Sequence, residues 1–528
     1  MTAYIDAPTL KRWLSEPQEI ALLDVRELGQ FGARHLFFAV PLAYSRFEIE
    51  LPGLVPNKNV TMVLCDNGDG VAERAAGRAE GVGYENVHVL EGGVDAWEAA
   101  SYTLYEGVNV PSKTFGELIE HELDTPRISA TELQAMNEAN ANFVIVDGRP
   151  FSEYERMSIP GGICCPNGEL ALRIADIAPD PETQVVVNCA GRTRSIIGAQ
   201  TLIDMGIPNK VVALENGTQG WFLAGFELES GATRRHSGTV DKADLDALRE
   251  RARALAEARG APNISPARLA EWCGDDERTT YVFDVRTVEE FSDGGVPGTI
   301  HAPGGQLVQA TDQWVGVRGA RIVVADDEGI RAFVIASWLR QLGHDAFVLE
   351  GGLAALDGVD LPPLLQPRIA PSLNAIAPEA LANALEREAT QVIDLRPSMM
   401  FREGHVDGAV WSIRPNLPLA SMDTSKTVTL VADDLLVAEL AAGEISTGGL
   451  AVAGLLKGSP DDWRKAELKI VATSDEPADA DCIDHLFFTA GRHKGNVEDA
   501  RRYLAWETAL VEQLDEQERS VFRITPAP

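Results

Sequence analysis

Short apolar runs alternate with amphipathic stretches along the whole chain. Residues 184–188 form one such run, rich in valine, and residues 196–205 follow with apolar side chains at helical spacing before Gly206. A short valine-rich run is typical of a buried strand, and the spacing after it is typical of a helix that ends at glycine. The pattern therefore predicts a strand, a tight turn that contains Cys189, and a helix.

The same pattern occurs four times in one register. In each copy an apolar run ends in Asp-x-Arg, a second apolar run follows, and a Leu-Glu-Gly-Gly or a variant of it comes last, with tryptophan six residues after the Glu position in three copies. Strands that alternate with helices indicate a parallel α/β sheet, and each copy is long enough for its own core, so we expect four equivalent domains rather than a solenoid. The aspartates are Asp24, Asp147, Asp284 and Asp394, and the second runs end 41, 42, 42 and 39 residues later at Cys65, Cys189, Asp326 and Asp433.

The repeat and its connectors divide the chain into eight ranges. We expect domains at residues 1–106, 127–232, 263–358 and 376–470, a connector at 107–126, a bridging helix at 233–262, a proline-rich connector at 359–375 and a helical extension at 471–528. The bridging helix is predicted over 241–259, packed between the two halves. An amphipathic helix is predicted over 496–518, and we expect it to pack on the fourth domain; a dimer interface is the alternative.

Cys189 has the surroundings that a reactive thiol needs. Arg192 and Arg194 follow it, and it precedes the start of a predicted helix, where backbone N–H groups favour an anion. Positive charge stabilises the thiolate, which is the nucleophilic form of cysteine. We therefore predict a site that holds a thiolate and an anionic substrate together. The alternative is a buried structural cysteine beside surface arginines.

The other three loops lack this combination. Cys65 is in the first, but Asp66 and Asp69 replace the arginines and disfavour a thiolate, so we expect the first domain to be inactive. The third and fourth loops begin at Asp326 and Asp433 and have no cysteine, so these domains should be inactive too. The carboxylates at 326–328 and the set Cys482, His485 and His493 do not form a recognisable metal site, and we expect no metal and no cofactor. Cys164 and Cys165 are expected to be core residues.

Composition excludes several functional classes. The net charge of −34 disfavours binding to nucleic acid or an anionic membrane. No run is apolar and long enough to span a bilayer, the first residues do not resemble a signal peptide, and six cysteines are too few for a disulfide scaffold. We therefore expect a cytoplasmic enzyme with small-molecule partners and no nucleic-acid or membrane partner; a homodimer is possible.

The Asp-x-Arg, the cysteine loop and the Glu-Gly-Gly with its tryptophan resemble the rhodanese family, most strongly in the second copy and least in the fourth. The resemblance implies an α/β fold of four tandem rhodanese-like domains, each a central parallel sheet flanked by helices, followed by the C-terminal helical extension. It also implies a thiosulfate sulfurtransferase. Cys189 would take a sulfane sulfur as a persulfide and pass it to cyanide or a thiol.

This resemblance assigns roles to the residues around Cys189. Arg192 and Arg194 would hold the sulfonate of the donor, and the backbone of the loop would surround the persulfide, with Ser195 as a helix cap or a donor to sulfur. Two alternatives remain. The first is a related phosphatase or arsenate reductase, but these enzymes place arginine six residues after cysteine, whereas Arg194 is five residues after Cys189 and Arg192 three. The second alternative is a non-catalytic sulfur-relay scaffold. The substrate-binding residues are then Ala190, Gly191, Arg192, Thr193, Arg194 and Ser195.

Overall fold

The computed structural model describes residues 3–238, 245–492 and 495–526 of the 528-residue chain. In these ranges the backbone forms four five-stranded parallel sheets, which confirms the predicted architecture. Each sheet has the same order, in which the first strand pairs with the fifth, followed by the fourth, second and third. We number the domains first to fourth by the sheet each contains. The start of the predicted bridging helix, 241–244, and His493 lie outside the described residues.

The first two domains are built from β1 to β10. The strands of the first are β1 Ala3–Ile5, β2 Ile20–Asp24, β3 Val40–Pro41, β4 Thr61–Cys65 and β5 Val87–Leu90, with helices α1 Ala7–Trp13, α2 Leu28–Ala33, α3 Phe47–Leu54, α4 Val71–Gly81 and α5 Gly93–Ala99. Helix α6, Val110–Leu123, then leads into the second domain. Its strands are β6 Arg127–Ile128, β7 Phe143–Asp147, β8 Ile163–Cys164, β9 Gln184–Asn188 and β10 Val211–Leu214, with helices α7 Ala130–Glu138, α8 Phe151–Arg156, α9 Leu170–Ile177, α10 Thr193–Asp204 and α11 Gly217–Leu223.

The third domain follows helix α12, Leu245–Ala258, which is the described part of the predicted bridge. Ala252, Leu255 and Ala256 of this helix are buried in the core that it shares with the third domain. Arg259 joins the helix to the second domain through an ion pair of 2.8 Å with Asp204. The strands are β11 Asn263–Ile264, β12 Thr280–Asp284, β13 Ile300–His301, β14 Arg321–Ala325 and β15 Asp345–Leu349, and the helices are α13 Pro266–Cys273, α14 Val288–Gly294, α15 Gly304–Gln309 and α16 Arg331–Gln341.

The fourth domain has one addition to the common plan, an antiparallel pair formed by β18 and β22. Its strands are β16 Ala375–Ile376, β17 Thr390–Asp394, β18 His405–Val406, β19 Val410–Trp411, β20 Thr427–Val431, β21 Val452–Leu456 and β22 Ile470–Val471. Its helices are α17 Pro378–Glu386, α18 Ser398–Glu403, α19 Leu435–Thr447 and α20 Pro460–Lys465, and the C-terminal segment adds α21 Phe487–Gly491, α22 Val497–Thr508, α23 Leu510–Gln513 and α24 Glu516–Arg519.

The Asp-x-Arg motif forms the same buried structure in all four domains. The aspartate is the last residue of the second strand of its sheet (β2, β7, β12 or β17), and the arginine two positions later returns to its carboxylate. The Nη2–Oδ2 distances are 2.6, 2.8, 2.7 and 2.6 Å. The same Nη2 also donates to a carbonyl oxygen eight residues further along, in Arg34, Met157, Gly294 and Gly404. Each pair therefore fixes the chain where it leaves the sheet.

Strand register corrects the predicted alignment of the cysteines. Asp24 pairs with Cys65 across the first sheet, whereas Asp147 pairs with Asn188 in the second. Cys65 is thus the counterpart of Asn188, and Asp66 is the counterpart of Cys189. Because successive side chains of a strand point to opposite faces, an offset of one position moves the thiol out of the loop and into the core. Cys65 packs there with Val94 and Trp97. The prediction that Cys65 is the loop cysteine of the first domain was therefore wrong.

A similar correction applies to the fourth domain. Asp394 pairs with Val431, so Ala432 rather than Asp433 occupies the position of Cys189. The expectation for the third domain holds, because Asp284 pairs with Ala325 and Asp326 comes next. Asp66, Cys189, Asp326 and Ala432 are therefore the four equivalent residues.

The C-terminal helices pack far from where we expected them. Tyr503 and Trp506 of α22 join Phe37, Tyr105 and Val110 in an apolar cluster between the first and second domains. The indole Nε1 of Trp506 donates to the carbonyl oxygen of Glu106 at 2.9 Å. The expected packing on the fourth domain was wrong, because the apolar face of α22 finds its aromatic partners beside α6. No helix in the described residues has both the length and the apolar character needed to cross a membrane.

Glu27 is expected to make stability fall as pH rises. Burial raises the pKa of this carboxyl to about 7, although Ser45 donates its backbone N–H and its hydroxyl to it. A raised carboxyl pKa favours the folded state below the unfolded pKa of about 4.3, and that contribution is lost as pH rises through about 7. Glu27→Gln, which cannot ionise, should lose less stability than the wild type between pH 5.5 and 8.5 in thermal unfolding. Parallel pH profiles for the two proteins would contradict this.

Candidate functional site

Cys189 lies at the carboxyl end of β9, the edge at which open α/β sheets bind ligands. The buried run Val185, Val186 and Val187 fixes the strand, and α10 begins at Thr193. The backbone carbonyl of Cys189 accepts the N–H of Thr218 at 2.8 Å. Gly217 permits this approach, since it has φ 54° and a Cβ there would collide with the same carbonyl oxygen.

The thiol of Cys189 lies inside its loop. The side chain is 2% exposed, and Sγ is 3.5 Å from the hydroxyl oxygen of Ser195. That hydroxyl donates to the carbonyl oxygen of Arg192 at 2.8 Å. Ser195 therefore links the thiol to the opposite side of the turn.

Arg194 carries positive charge close to the thiol. Its Nη1 and Nη2 each donate to a carboxylate oxygen of Glu153 at 2.8 Å. Burial opposes the charge, but Glu153 and, to a smaller extent, the thiol of Cys189 outweigh it and raise the pKa of Arg194. The guanidinium is thus held permanently charged at a fixed place beside sulfur.

Arg192 anchors the loop to α6. Its Nε and Nη2 donate to the two carboxylate oxygens of Glu117 at 2.6 and 2.9 Å, and Nη2 also contacts Glu120. Its Nη1 reaches the side-chain oxygen of Asn216 at 3.3 Å. With these partners all three nitrogens of the guanidinium are engaged by the protein itself.

The C-terminal helix α22 completes the loop from outside. The hydroxyl of Thr193 donates to Oε1 of Glu507 at 2.8 Å, and the ammonium of Lys113 lies 3.3 Å from the same oxygen. Burial disfavours the charged form of Glu507, but Lys113 and Thr193 outweigh it and lower the pKa of this carboxyl. Oε2 of Glu507 lies 2.9 Å from where a Cβ on Gly191 would stand, so only glycine fits there without a shift.

A cavity of about 580 Å³ opens in front of the loop. Cys189, Ala190, Gly191, Arg192, Thr193 and Arg194 line it, and Ser195 lies behind them. The structure therefore brings together all of the residues that we predicted for the site. The remaining walls come from elsewhere in the chain: Arg156 of α8, Gln306, Gln309 and Gln313 of the third domain, and Tyr503 and Glu507 of α22.

The equivalent loops of the first and third domains contain a carboxylate where Cys189 stands. Asp66 accepts the backbone N–H of Gly68 at 2.8 Å and that of Ala72 at 2.9 Å. Asp326 accepts the N–H groups of Gly329, Ile330 and Arg331 at 3.0 to 3.3 Å. By contrast, in the part of the chain that the structure describes, no protein acceptor takes an N–H of residues 190–195. Among the described residues, the carboxylate thus takes two N–H groups of the turn in the first domain and three in the third, whereas all of the N–H groups of residues 190–195 lack a protein acceptor.

The family model for the rhodanese-like domain matches residues 6–100, 129–224 and 265–357, which together exceed half of the chain. The chain belongs to the rhodanese family. The fourth domain lies outside these ranges but has the strand order of the other three rhodanese domains.

Two known proteins resemble this chain, one over nearly its whole length and the other over about a fifth of it. The crystal structure of a thiosulfate sulfurtransferase from Pseudomonas aeruginosa is 41% identical, with a TM-score of 0.90, and the alignment covers 99% of this chain and 100% of that one. The HTH-type transcriptional regulator Rv0324 of Mycobacterium tuberculosis is 31% identical over 115 residues, or 22% of this chain and 50% of its own length. The chain thus spans about half the length of this curated relative.

Sequence reasoning missed the residues that hold the site together. Glu153 could have been found, because the same pair recurs in the third domain, where Arg331 contacts Glu290 at 2.6 Å across the same separation of 41 residues. Glu117, Lys113 and Glu507 carry no comparable signal, since they come from connecting and C-terminal helices that do not repeat.

Cys164 and Cys165 are buried, and Cys482 donates to the carbonyl oxygen of Ala478 at 3.3 Å. In the described ranges no cluster of three or more His, Cys, Asp or Glu could hold a metal.

The two N-terminal cysteines should differ sharply in reactivity. Burial, followed by Asp24 and Asp66, raises the pKa of Cys65 well above its ordinary value, and this thiol packs in the core. Cys189 lines an open cavity beside Arg194. Iodoacetamide near neutral pH should therefore label Cys189 well before Cys65, as peptide mass spectrometry can measure. Faster labelling of Cys65 in folded protein would refute this reading.

Proposed function

We propose that this protein is a sulfurtransferase that moves sulfane sulfur from thiosulfate or a similar donor to a thiol or cyanide through a persulfide on Cys189. The observation that carries the proposal is the set of backbone N–H groups of residues 190–195, which have no acceptor in the described protein. They belong to the turn that follows the cysteine and to the start of α10, where a negative charge is favoured. The 41% identity to a thiosulfate sulfurtransferase over nearly the whole chain supports the same activity.

The first and third domains indicate what such a turn binds. Their equivalent N–H groups converge on the carboxylates of Asp66 and Asp326. The terminal sulfur of a persulfide on Cys189 would lie two bonds from Cβ and carry a negative charge. The carboxylate oxygens of an aspartate also lie two bonds from Cβ and share a negative charge. We infer that the N–H groups of residues 190–195 donate to the terminal sulfur in the same way.

The reaction balances without a cofactor. The thiolate of Cys189 attacks the outer sulfur of thiosulfate, a new S–S bond forms, the S–S bond of the donor breaks, and its electron pair leaves with sulfite. The acceptor thiolate or cyanide then attacks the terminal sulfur of the persulfide, and the electron pair of that S–S bond returns to Cys189. Two half-reactions on one enzyme predict ping-pong kinetics.

The two arginines receive different roles in this proposal. Arg194 lies beside the thiol and keeps its charge, so we assign it to the sulfonate of the donor and to the developing charge on sulfite. Arg192 is engaged by Glu117, Glu120 and Asn216, so its main role is to hold the loop in place. In the thiolate form of the enzyme, the hydroxyl of Ser195 can turn toward Sγ and donate to it.

Thiosulfate should convert Cys189 to a persulfide. Intact-mass and peptide mass spectrometry of the full chain should show a gain of about one sulfur mass on Cys189 after thiosulfate treatment and its loss on addition of cyanide. Cys189→Ser should abolish both the mass change and sulfur transfer, whereas Cys65→Ser, a matched control in the core, should keep most of the activity. A correctly folded Cys65→Ser protein that loses half or more of the activity would contradict the assignment.

Replacement of Arg194 should weaken the use of thiosulfate. Loss of one charge-assisted contact should raise KM and lower kcat/KM for Arg194→Ala by roughly ten- to a thousandfold. Arg156→Ala, in the same cavity but outside the loop, serves as the control and should have a smaller effect. Unchanged thiosulfate kinetics in Arg194→Ala, or efficient hydrolysis of aryl phosphates by the wild type, would overturn the proposal.

A further inference from the structure

A second cavity, of about 300 Å³, lies between the first domain, the third domain and the C-terminal segment. Exposed Pro17, Gln18 and Gly319 stand at its mouth. Its volume is at the lower end of the range for small-molecule pockets, which are mostly apolar with a few polar groups. Most of its wall is apolar and comes from Leu14, Leu22, Phe37, Phe38, Val315 and Phe522.

Arg318 lines this cavity without a carboxylate partner. Its backbone is fixed by two hydrogen bonds to Ile20, at 2.9 and 3.2 Å, and its guanidinium carbon lies 4.1 Å from the centre of the Phe38 ring. Across residues 3–238, 245–492 and 495–526, no acidic group comes within 4.0 Å of the guanidinium and no acceptor takes a hydrogen bond from it. Burial alone lowers the pKa of Arg318 to about 10. It is therefore still charged near neutral pH, and a half-buried charge without a protein partner can accept an anion from solution.

Three fully buried arginines of this chain, by contrast, have carboxylate partners. Arg149 pairs with Asp147, Arg331 pairs with four carboxylates, and Arg414 pairs with Glu48 and Glu444. A charged side chain that faces an apolar cavity and lacks such a partner is a common sign of a binding site for the opposite charge.

Four further ionisable residues line the cavity: Glu16, Asp312, His344 and Arg523. Burial raises the pKa of Asp312 to about 6, and its Oδ1 is buried without a hydrogen-bond partner among the described residues. Burial lowers the pKa of His344 to about 4, so the imidazole is neutral near pH 7. Arg318 therefore supplies a site for an anion, and Asp312 supplies an acceptor for a hydroxyl or amino group.

We propose that this cavity binds a small organic acid, with the carboxylate on Arg318 and an apolar body against Phe37, Leu22 and Val315. Asn109 lines both this cavity and the one in front of Cys189, so the two cavities adjoin at this residue. The proposal does not depend on thiol chemistry, and Cys189→Ser should bind the acid as the wild type does.

Isothermal titration calorimetry of the full chain tests the proposal with three probes. Octanoate and 3-phenylpropanoate carry the carboxylate on an aliphatic or an aromatic body, and octanamide has the size of octanoate without its charge. We expect saturable binding of at least one acid with a stoichiometry of one. The affinity for octanamide should be lower than that for octanoate by about tenfold or more. The acid that binds more tightly identifies the preferred body.

Substitution of Arg318 separates the charge from the cavity. Arg318→Met keeps most of the side-chain volume and should lower the affinity for the bound acid about tenfold or more, whereas Arg251→Met at an exposed position should leave it unchanged. Absence of binding by both acids up to about 10 mM would overturn the proposal, as would equal affinity for octanoate and octanamide. An unchanged affinity in Arg318→Met would overturn it too. If Arg318→Met does not fold, the comparison of octanoate with octanamide on the wild type decides the matter.

Discussion

Backbone N–H groups that converge on one point inside a protein need a negative or polar partner, and the turn after the central strand of the first and third domains presents such groups. The first and third domains meet it with Asp66 and Asp326, which belong to the turn itself. In the second domain the equivalent residue is Cys189, whose thiol does not take these bonds. The equivalent turn is therefore closed by its own carboxylate in the first and third domains, whereas in the second it is the turn that we propose to receive an anion. One side chain at one position separates the two outcomes.

The four sheets could be predicted because the interaction that fixes them is local in sequence. Each Asp-x-Arg pair joins residues two positions apart and reaches a carbonyl eight positions on, so it leaves a short, repeated signature. The register of Cys65 could not be predicted as safely. A shift of one residue reverses the direction of a side chain in a strand, and the only trace of it was a separation of 41 rather than 42.

Only the part of the Cys189 environment that comes from residues close to it in the sequence was predicted. The loop residues and the charge of Arg194 follow from the local sequence, but Glu117 and Glu507 reach the site through packing. Helical periodicity in α22 shows that one face is buried, yet it carries no information about the surface that covers it. Tyr503 and Trp506 could have packed on any apolar surface of the chain, and the cluster at Phe37 and Tyr105 was not visible in the repeats.

The contact between Thr193 and Glu507 has a consequence for the order of events during synthesis. The two residues lie 314 positions apart, so at about 5 to 20 residues per second the ribosome needs roughly 15 to 60 s to make the second after the first. During that interval the second domain can fold, but Gly191 and Thr193 lack the helix that supports them from outside. In a nascent chain the loop of Cys189 therefore lacks its contacts with α22, and the protein gains the complete pocket only after the fourth domain has been made.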